Sequence, residues 1–135
     1  METDRKVLSR IYLESRQDTF TWLNPTSFRL SDFDRDTAGE AIWVAERQGT
    51  LLGFVSVDEA DNFIHNLFVA TQWLGHGIGS QLLATSLANI NSPARLKCLV
   101  DNARAIAFYR KKGWQKVGEG VSDDGRYVVL EMVNS

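Results

Sequence analysis

Gly75, Gly77 and Gly79 alternate in the segment Val69-Ala70-Thr71-Gln72-Trp73-Leu74-Gly75-His76-Gly77-Ile78-Gly79-Ser80. The segment joins an apolar run to a stretch in which apolar residues recur every three or four positions, so it links a strand to a helix. Glycine turns freely and lets a ligand approach without meeting a Cβ. The first amides of a helix are unpaired and carry partial positive charge. The chemistry on offer is anion binding, with a pyrophosphate as the best fit. A dinucleotide fingerprint, G-x-G-x-x-G, fails, because its third glycine falls on Leu82 counted from Gly77 and on Ser80 counted from Gly75. A P-loop fails too, because its Gly-Lys-Ser/Thr has no lysine here. A glycine-rich connection with no ligand is the plain alternative.

Asn102 and Tyr109 stand seven residues apart, close to two helical turns, and so share one helix face. Phe108 lies on a neighbouring face and reads as core. An imidazole titrates near neutrality and can move protons, which singles out His65, while His76 is read as facing solvent or phosphate. Together with Cys98 they lack any metal-ligand spacing, so no metal is expected. Cys98, the single cysteine, permits no internal disulfide. It alternates with Lys97 on a short strand and reads as core rather than nucleophile. Trp22, Trp43 and Trp73 are scattered, which favours core packing over a pocket lining.

The elements that must hold these residues follow from periodicity. Val7, Leu8, Ile11, Tyr12 and Ser15 define an amphipathic helix over residues 5–19. Asn24-Pro25 ends it, and a short acidic helix over 31–39 is expected, capped by Ser31. Residues 41–47 and 51–58 flank Gln48-Gly49 as a hairpin, and 62–69 adds a third strand. A helix over 78–91, a strand over 95–100, and a helix over 102–112 with Asn102 as N-cap and Gly113 as its end come next. The last strands, 114–118 and 126–133, meet through Asp123-Asp124-Gly125. The predicted fold is α/β (α+β): a mixed, mainly antiparallel sheet with helices on its faces.

The 135 residues suit one domain over 1–135, and 44% hydrophobic residues supply its core. A net charge of −2 argues for neither nucleic acid nor membrane as a partner and leans toward a cationic substrate. The charged N-terminus opens no signal region, and no apolar run approaches the ~18 residues of a membrane span. With one cysteine, the expected location is cytoplasmic. A homodimer is compatible with all of this.

The two chemistry-bearing segments together resemble the GNAT superfamily of N-acetyltransferases. In that family a strand leads into a Q/R-x-x-G-x-G/A loop that binds acetyl-CoA, matched here by Leu74-Gly75-His76-Gly77-Ile78-Gly79. Downstream, Asn102-x-x-Ala105-x-x-Phe108-Tyr109-x-Lys111-x-Gly113-Trp114 is similar to the family's N-x-x-A-x-x-F-Y-x-K-x-G-F segment. The resemblance runs from about residue 5 to the end. It implies acetyl-CoA as co-substrate, a small-molecule or peptide amine as acceptor, and direct transfer in a ternary complex.

By the same resemblance, the backbone of Leu67, Phe68 and Val69 pairs with the pantetheine arm. The amides of Gly75, His76, Gly77, Ile78, Gly79 and Ser80 take the pyrophosphate. Asn102 contacts the cofactor, caps its helix, or does both. Tyr109 protonates the leaving thiolate or is a packed aromatic. His65, beside the implied acetyl site, takes the amine's proton or merely walls the pocket, with Glu46, Asp58 and Glu59 in reserve. Three departures stand out. The family's Gln or Arg is Leu74, its basic glutamate is Lys97, and its first strand is missing, since the sequence begins almost at the first helix. These departures motivate one alternative, a non-catalytic acetyl-CoA-binding or regulatory module. A more distant alternative is a nucleotide-binding module built on the same loop.

Overall fold

The structure, a computed structural model, describes residues 2–91 and 93–132. Helix α1, Glu2–Thr19, buries a stripe of Leu8, Ile11, Tyr12 and Ser15. Val7 falls outside the expected stripe at 40% exposure, because it sits about 100° round the helix from Leu8, on the outer side. A 3₁₀ turn, Pro25–Ser27, leads to helix α2, Asp32–Asp36. This helix is shorter than expected, and Ser31 makes no side-chain cap. The Arg29 amide donates instead to Asp32 Oδ2 at 2.9 Å, and Thr37 Oγ1 donates to the Phe33 carbonyl at 2.7 Å as the helix ends.

Six strands follow, interleaved with two helices. They are β1 Ala41–Arg47, β2 Thr50–Asp58, β3 Phe63–Val69, then helix α3 Ile78–Asn89, β4 Ala94–Leu99, helix α4 Ala103–Lys111, β5 Gln115–Ser122 and β6 Gly125–Met132. The sheet order is β1-β2-β3-β4-β6-β5. Every neighbouring pair is antiparallel except β3 and β4. The mixed, mainly antiparallel sheet is therefore as expected, and no strand precedes α1 among the described residues. The β1–β2 turn has positive φ at both Gln48 and Gly49, the geometry of a primed hairpin turn. The expected last position of the final strand, Val133, lies outside the described residues.

Each face of the sheet buries its own core. Leu52, Val55, Val57, Leu82, Leu83, Leu96 and Trp114 pack on the α3 and α4 side. On the α1 and α2 side, the Tyr12 ring meets Phe33, Phe54 and Phe68 edge-on at centroid distances of 6.2, 6.0 and 5.2 Å. Edge-to-face contact of this kind fixes ring orientation as well as burying area.

Two irregularities in β3 position the site. It pairs with β4 only at Phe63–Arg95 and Ile64–Leu96, and beyond Ile64 the two strands diverge. Its ladder with β2 also jumps. Ser56 faces Asn66 and the next residue, Val57, faces Ile64, so His65 is the extra residue of a β-bulge. A bulge re-aims side chains at the point where it interrupts the ladder.

Candidate active site

Where β3 and β4 part, a cavity of about 440 Å³ opens. His65, Asn66, Leu67 and Phe68 line it from β3, Lys97 and Cys98 from β4, and Asn102 and Tyr109 from α4. Tyr12, Arg16 and Asp36 line the side formed by α1 and α2. The structure thus brings both proposed catalytic residues, His65 and Tyr109, to one cavity. Past Ile64, the β4-facing edge of β3 has no strand against it. One backbone group on this stretch is already engaged, since Ser15 Oγ donates to the Val69 carbonyl at 3.1 Å.

β3 runs from the cavity directly toward the glycine loop. Gly75 and Gly77 have φ of +84° and +78°, and a Cβ on either would meet open space. After Leu74, whose amide donates to the Thr71 carbonyl at 3.3 Å, the next amide to find a backbone partner is Gln81, which donates to the Gly77 carbonyl at 3.1 Å. The amides of Gly77, Ile78, Gly79 and Ser80 have none among the described residues, and no side chain caps the helix. Unpaired amides at a helix start carry partial positive charge. Leu74 is half exposed, so the position where relatives carry Gln or Arg is free of core packing. The His76 ring lies against Trp73 at 5.5 Å, over a second hollow of about 330 Å³ that Glu46 also lines.

Asn102 caps α4, its Oδ1 accepting from the Ala105 amide at 3.3 Å, and also lines the cavity. Tyr109 is buried on the same helix, and its hydroxyl has no hydrogen-bond partner among the described residues. Burial, and secondarily the neighbouring Cys98, pushes the Tyr109 phenol above its ordinary range. Burial likewise pushes the Cys98 thiol up to about 11, so it stays protonated at neutral pH and is a poor nucleophile. Lys97 places its ammonium 4.8 Å from the Tyr127 ring centroid.

His65 Nδ1 is in hydrogen-bond contact with Oε2 of Glu40, a carboxylate whose side chain is only 7% exposed. The loop before β1 supplies Glu40, and no motif or spacing marks it in the sequence. The α1 and α2 wall was equally unmarked. There Arg16 pairs with Asp32 at 3.2 Å, both side chains buried, while its guanidinium lies 3.8 Å from the Tyr12 ring centroid. Burial works to raise the Asp32 carboxyl, but the Arg29 amide and Arg16 outweigh it and hold it below its usual range. Tyr12 donates to Asp36 at 2.6 Å. Trp22, expected in the core, is 37% exposed and donates to the Asp124 carbonyl at 3.4 Å, tying the loop after α1 to the β5–β6 turn. Trp43 and Trp73 pack against the core as expected. Glu46, Asp58 and Glu59 do not line the cavity.

Comparison with known proteins agrees with this architecture. The acetyltransferase (GNAT) domain family matches residues 38–116, a span holding the glycine loop, His65, Asn102 and Tyr109. The chain is 32% identical over 125 residues to the peptidyl-lysine N-acetyltransferase YiaC of Escherichia coli (strain K12), covering 86% of this chain and 82% of that protein. Among solved structures, apo YjaB from Escherichia coli aligns with a TM-score of 0.82 at 20% identity, over 98% of this chain and 93% of the other. The PaiA N-acetyltransferase of Thermoplasma acidophilum, in complex with coenzyme A, aligns with a TM-score of 0.76 at 19% identity, over 98% and 94%.

Proposed function

As a member of the GNAT family, the chain is an acetyl-CoA-dependent N-acetyltransferase, and we propose that it passes the acetyl group directly to the primary amine of a lysine side chain. The observation that carries this reading is the parting of β3 and β4 around a cavity holding a protonated tyrosine and an imidazole. The name of the curated relative, a peptidyl-lysine acetyltransferase, supports the acceptor. So do the rings of Tyr12 and Phe68 in the cavity wall, which suit an alkyl chain.

The residues fit acetyl-CoA. The free amides of Gly77–Ser80, with Gly75 and His76 before them, take the pyrophosphate. The open edge of β3 at Leu67, Phe68 and Val69 takes the peptide-like arm by strand-style pairing. The Asn102 side-chain amide adds a donor from the cavity wall. When bound, acetyl-CoA supplies the thioester carbonyl that the amine attacks.

An ammonium ion cannot attack, so a base must first take its proton. His65 accepts that proton, directly or through water. The new N–C bond then forms as the C–S bond breaks, Tyr109 delivers its hydroxyl proton to the departing sulfur, and the surplus proton of the acylated nitrogen returns through water to the Tyr109 oxygen. Burial keeps the phenol protonated, so its proton is in place when the thiolate leaves. Cys98 is held as a neutral thiol, which favours direct transfer over an acyl-enzyme.

The test is a screen of lysine peptides and small amines with acetyl-CoA, read by thiol release and mass spectrometry. Acetylation is expected on the lysine Nε of peptides whose α-amine is blocked. Turnover confined to α-amines, or calorimetric binding of acetyl-CoA with no turnover on any amine, would overturn the reading.

A further inference from the structure

The catalytic scheme uses one face of the His65 ring and leaves the other to Glu40. We infer that Glu40 is a positioning residue, which holds His65 as the Nδ1–H tautomer so that Nε2 is the nitrogen that accepts the amine's proton. The inference rests on the reading of His65 as the proton acceptor.

Three observations converge on it. First, His65 is the bulged residue of β3, so its backbone is released from ladder alternation and its side chain needs another constraint. The Phe63 ring supplies one, edge-on at 4.9 Å, and Glu40 supplies the other. Second, Glu40 is a buried carboxylate with His65 as its one side-chain partner among the described residues, while its second oxygen, Oε1, is buried with no partner. Burying a carboxylate costs free energy unless it is paired, so this one is placed for the ring and not for stability. Third, Glu40 does not line the cavity, whereas His65 does. Glu40 therefore acts through the imidazole and never touches the amine.

The chemistry follows from the two ring nitrogens. In a neutral imidazole one nitrogen donates and the other accepts, and the bond made by the first decides which is free. With Nδ1–H committed to Glu40, the lone pair sits on Nε2. As that nitrogen takes the proton, the ring becomes cationic and the carboxylate beside it stabilises the charge. No net atom is gained or lost at Glu40.

The experiment compares Glu40→Leu, which removes the acceptor, with Glu40→Gln, which keeps an amide oxygen in its place. Glu40→Leu is expected to lower kcat by roughly 10-fold or more, within the range of an acid–base contribution, with KM for acetyl-CoA unchanged. Glu40→Gln should recover much of that loss. Nitrogen-15 NMR of the imidazole should report the Nδ1–H tautomer in the parent and in Glu40→Gln. The solution-preferred mixture is expected in Glu40→Leu. In a His65→Gln background, Glu40→Leu should cost nothing further. A parent-like kcat in Glu40→Leu while His65→Gln is impaired overturns the role of Glu40 alone. A parent-like kcat in His65→Gln overturns the proton-acceptor reading and this inference with it. If Glu40→Leu does not fold, the parent decides the matter, since an Nε2–H tautomer there contradicts the inference.

Discussion

The two ends of the site are made in opposite ways. The glycine loop is one contiguous segment that offers its backbone. Gly75 and Gly77 turn with positive φ, and the amides that follow are left free because a helix begins there. Around the cavity the groups are side chains from α1, α2, the bulge of β3 and the turn after β5, with Glu40 behind His65. A backbone site is robust to most side chains but fails when a Cβ intrudes. A side-chain site is the reverse, since it depends on which groups are present at each position. Tyr109 stands between the two, on the helix that Asn102 caps and on the wall of the acceptor cavity.

The sharpest test of that division is Tyr109→Phe, which keeps the ring and removes the hydroxyl. It should lower kcat on the order of 10²-fold, while KM for acetyl-CoA changes little. The sign of the pH dependence follows from burial. Because the folded phenol ionises above its ordinary value, its protonated form persists where a free tyrosine begins to lose its proton. Steady-state kcat should therefore not decline between neutrality and about pH 10 through Tyr109. A decline in that window that disappears in Tyr109→Phe would contradict the raised ionisation of the phenol while keeping its role as acid.

Gly79→Val probes the backbone end. A Cβ there meets only the Phe108 and Val69 side chains, at 3.7 and 3.8 Å, ordinary contact distances. The fold should survive, by circular dichroism and thermal melting. Acetyl-CoA binding should still weaken at least tenfold, about 1.4 kcal/mol, because the branched side chain stands in the first turn beside the free amides. Parent-like affinity by calorimetry would remove the loop from the cofactor site. Gly77 makes a poorer test, since its φ of +78° strains any side chain whether or not a ligand is present.

The same contrast governs what could be read from the sequence. The glycine loop, the Asn102 cap and the strand–helix order were legible because each is written in consecutive residues through period or spacing. The bulge at His65 was not, because it exists only in the register between β2 and β3. Glu40 was invisible for a related reason: it meets His65 across 25 positions of sequence. The Arg16–Asp32 pair bridges two helices whose packing no local pattern specifies. Ser31 misled because it has a cap's chemistry, while Asp32, one residue later, has the geometry to accept from the Arg29 amide.

Leu74→Arg sharpens the comparison in the favourable direction. Leu74 is half exposed, so an arginine displaces no core contact. It restores a cation at the position where relatives carry a polar side chain. Affinity for CoA should rise a few-fold, and the gain should shrink as salt is added, because exposed charges are screened. Titrations at two ionic strengths check this. A gain that ignores salt would point to packing rather than charge.

The smallest expected effect belongs to Cys98, and it bears on how the acetyl group travels. Cys98 lines the cavity beside Tyr109 and is the obvious thiol for an acyl-enzyme. Its position argues against that use. Burial pushes its ionisation up to about 11, so at neutral pH only on the order of one thiol in 10⁴ is a thiolate, and the thiolate is the reactive form. Cys98→Ala should therefore leave kcat within about twofold of the parent, while the lost sulfur lowers stability by about 1 kcal/mol through a small cavity. A loss of 100-fold or more, together with a mass increase of one acetyl group on the parent enzyme incubated without amine, would show that the acetyl group passes through Cys98 before it reaches the acceptor.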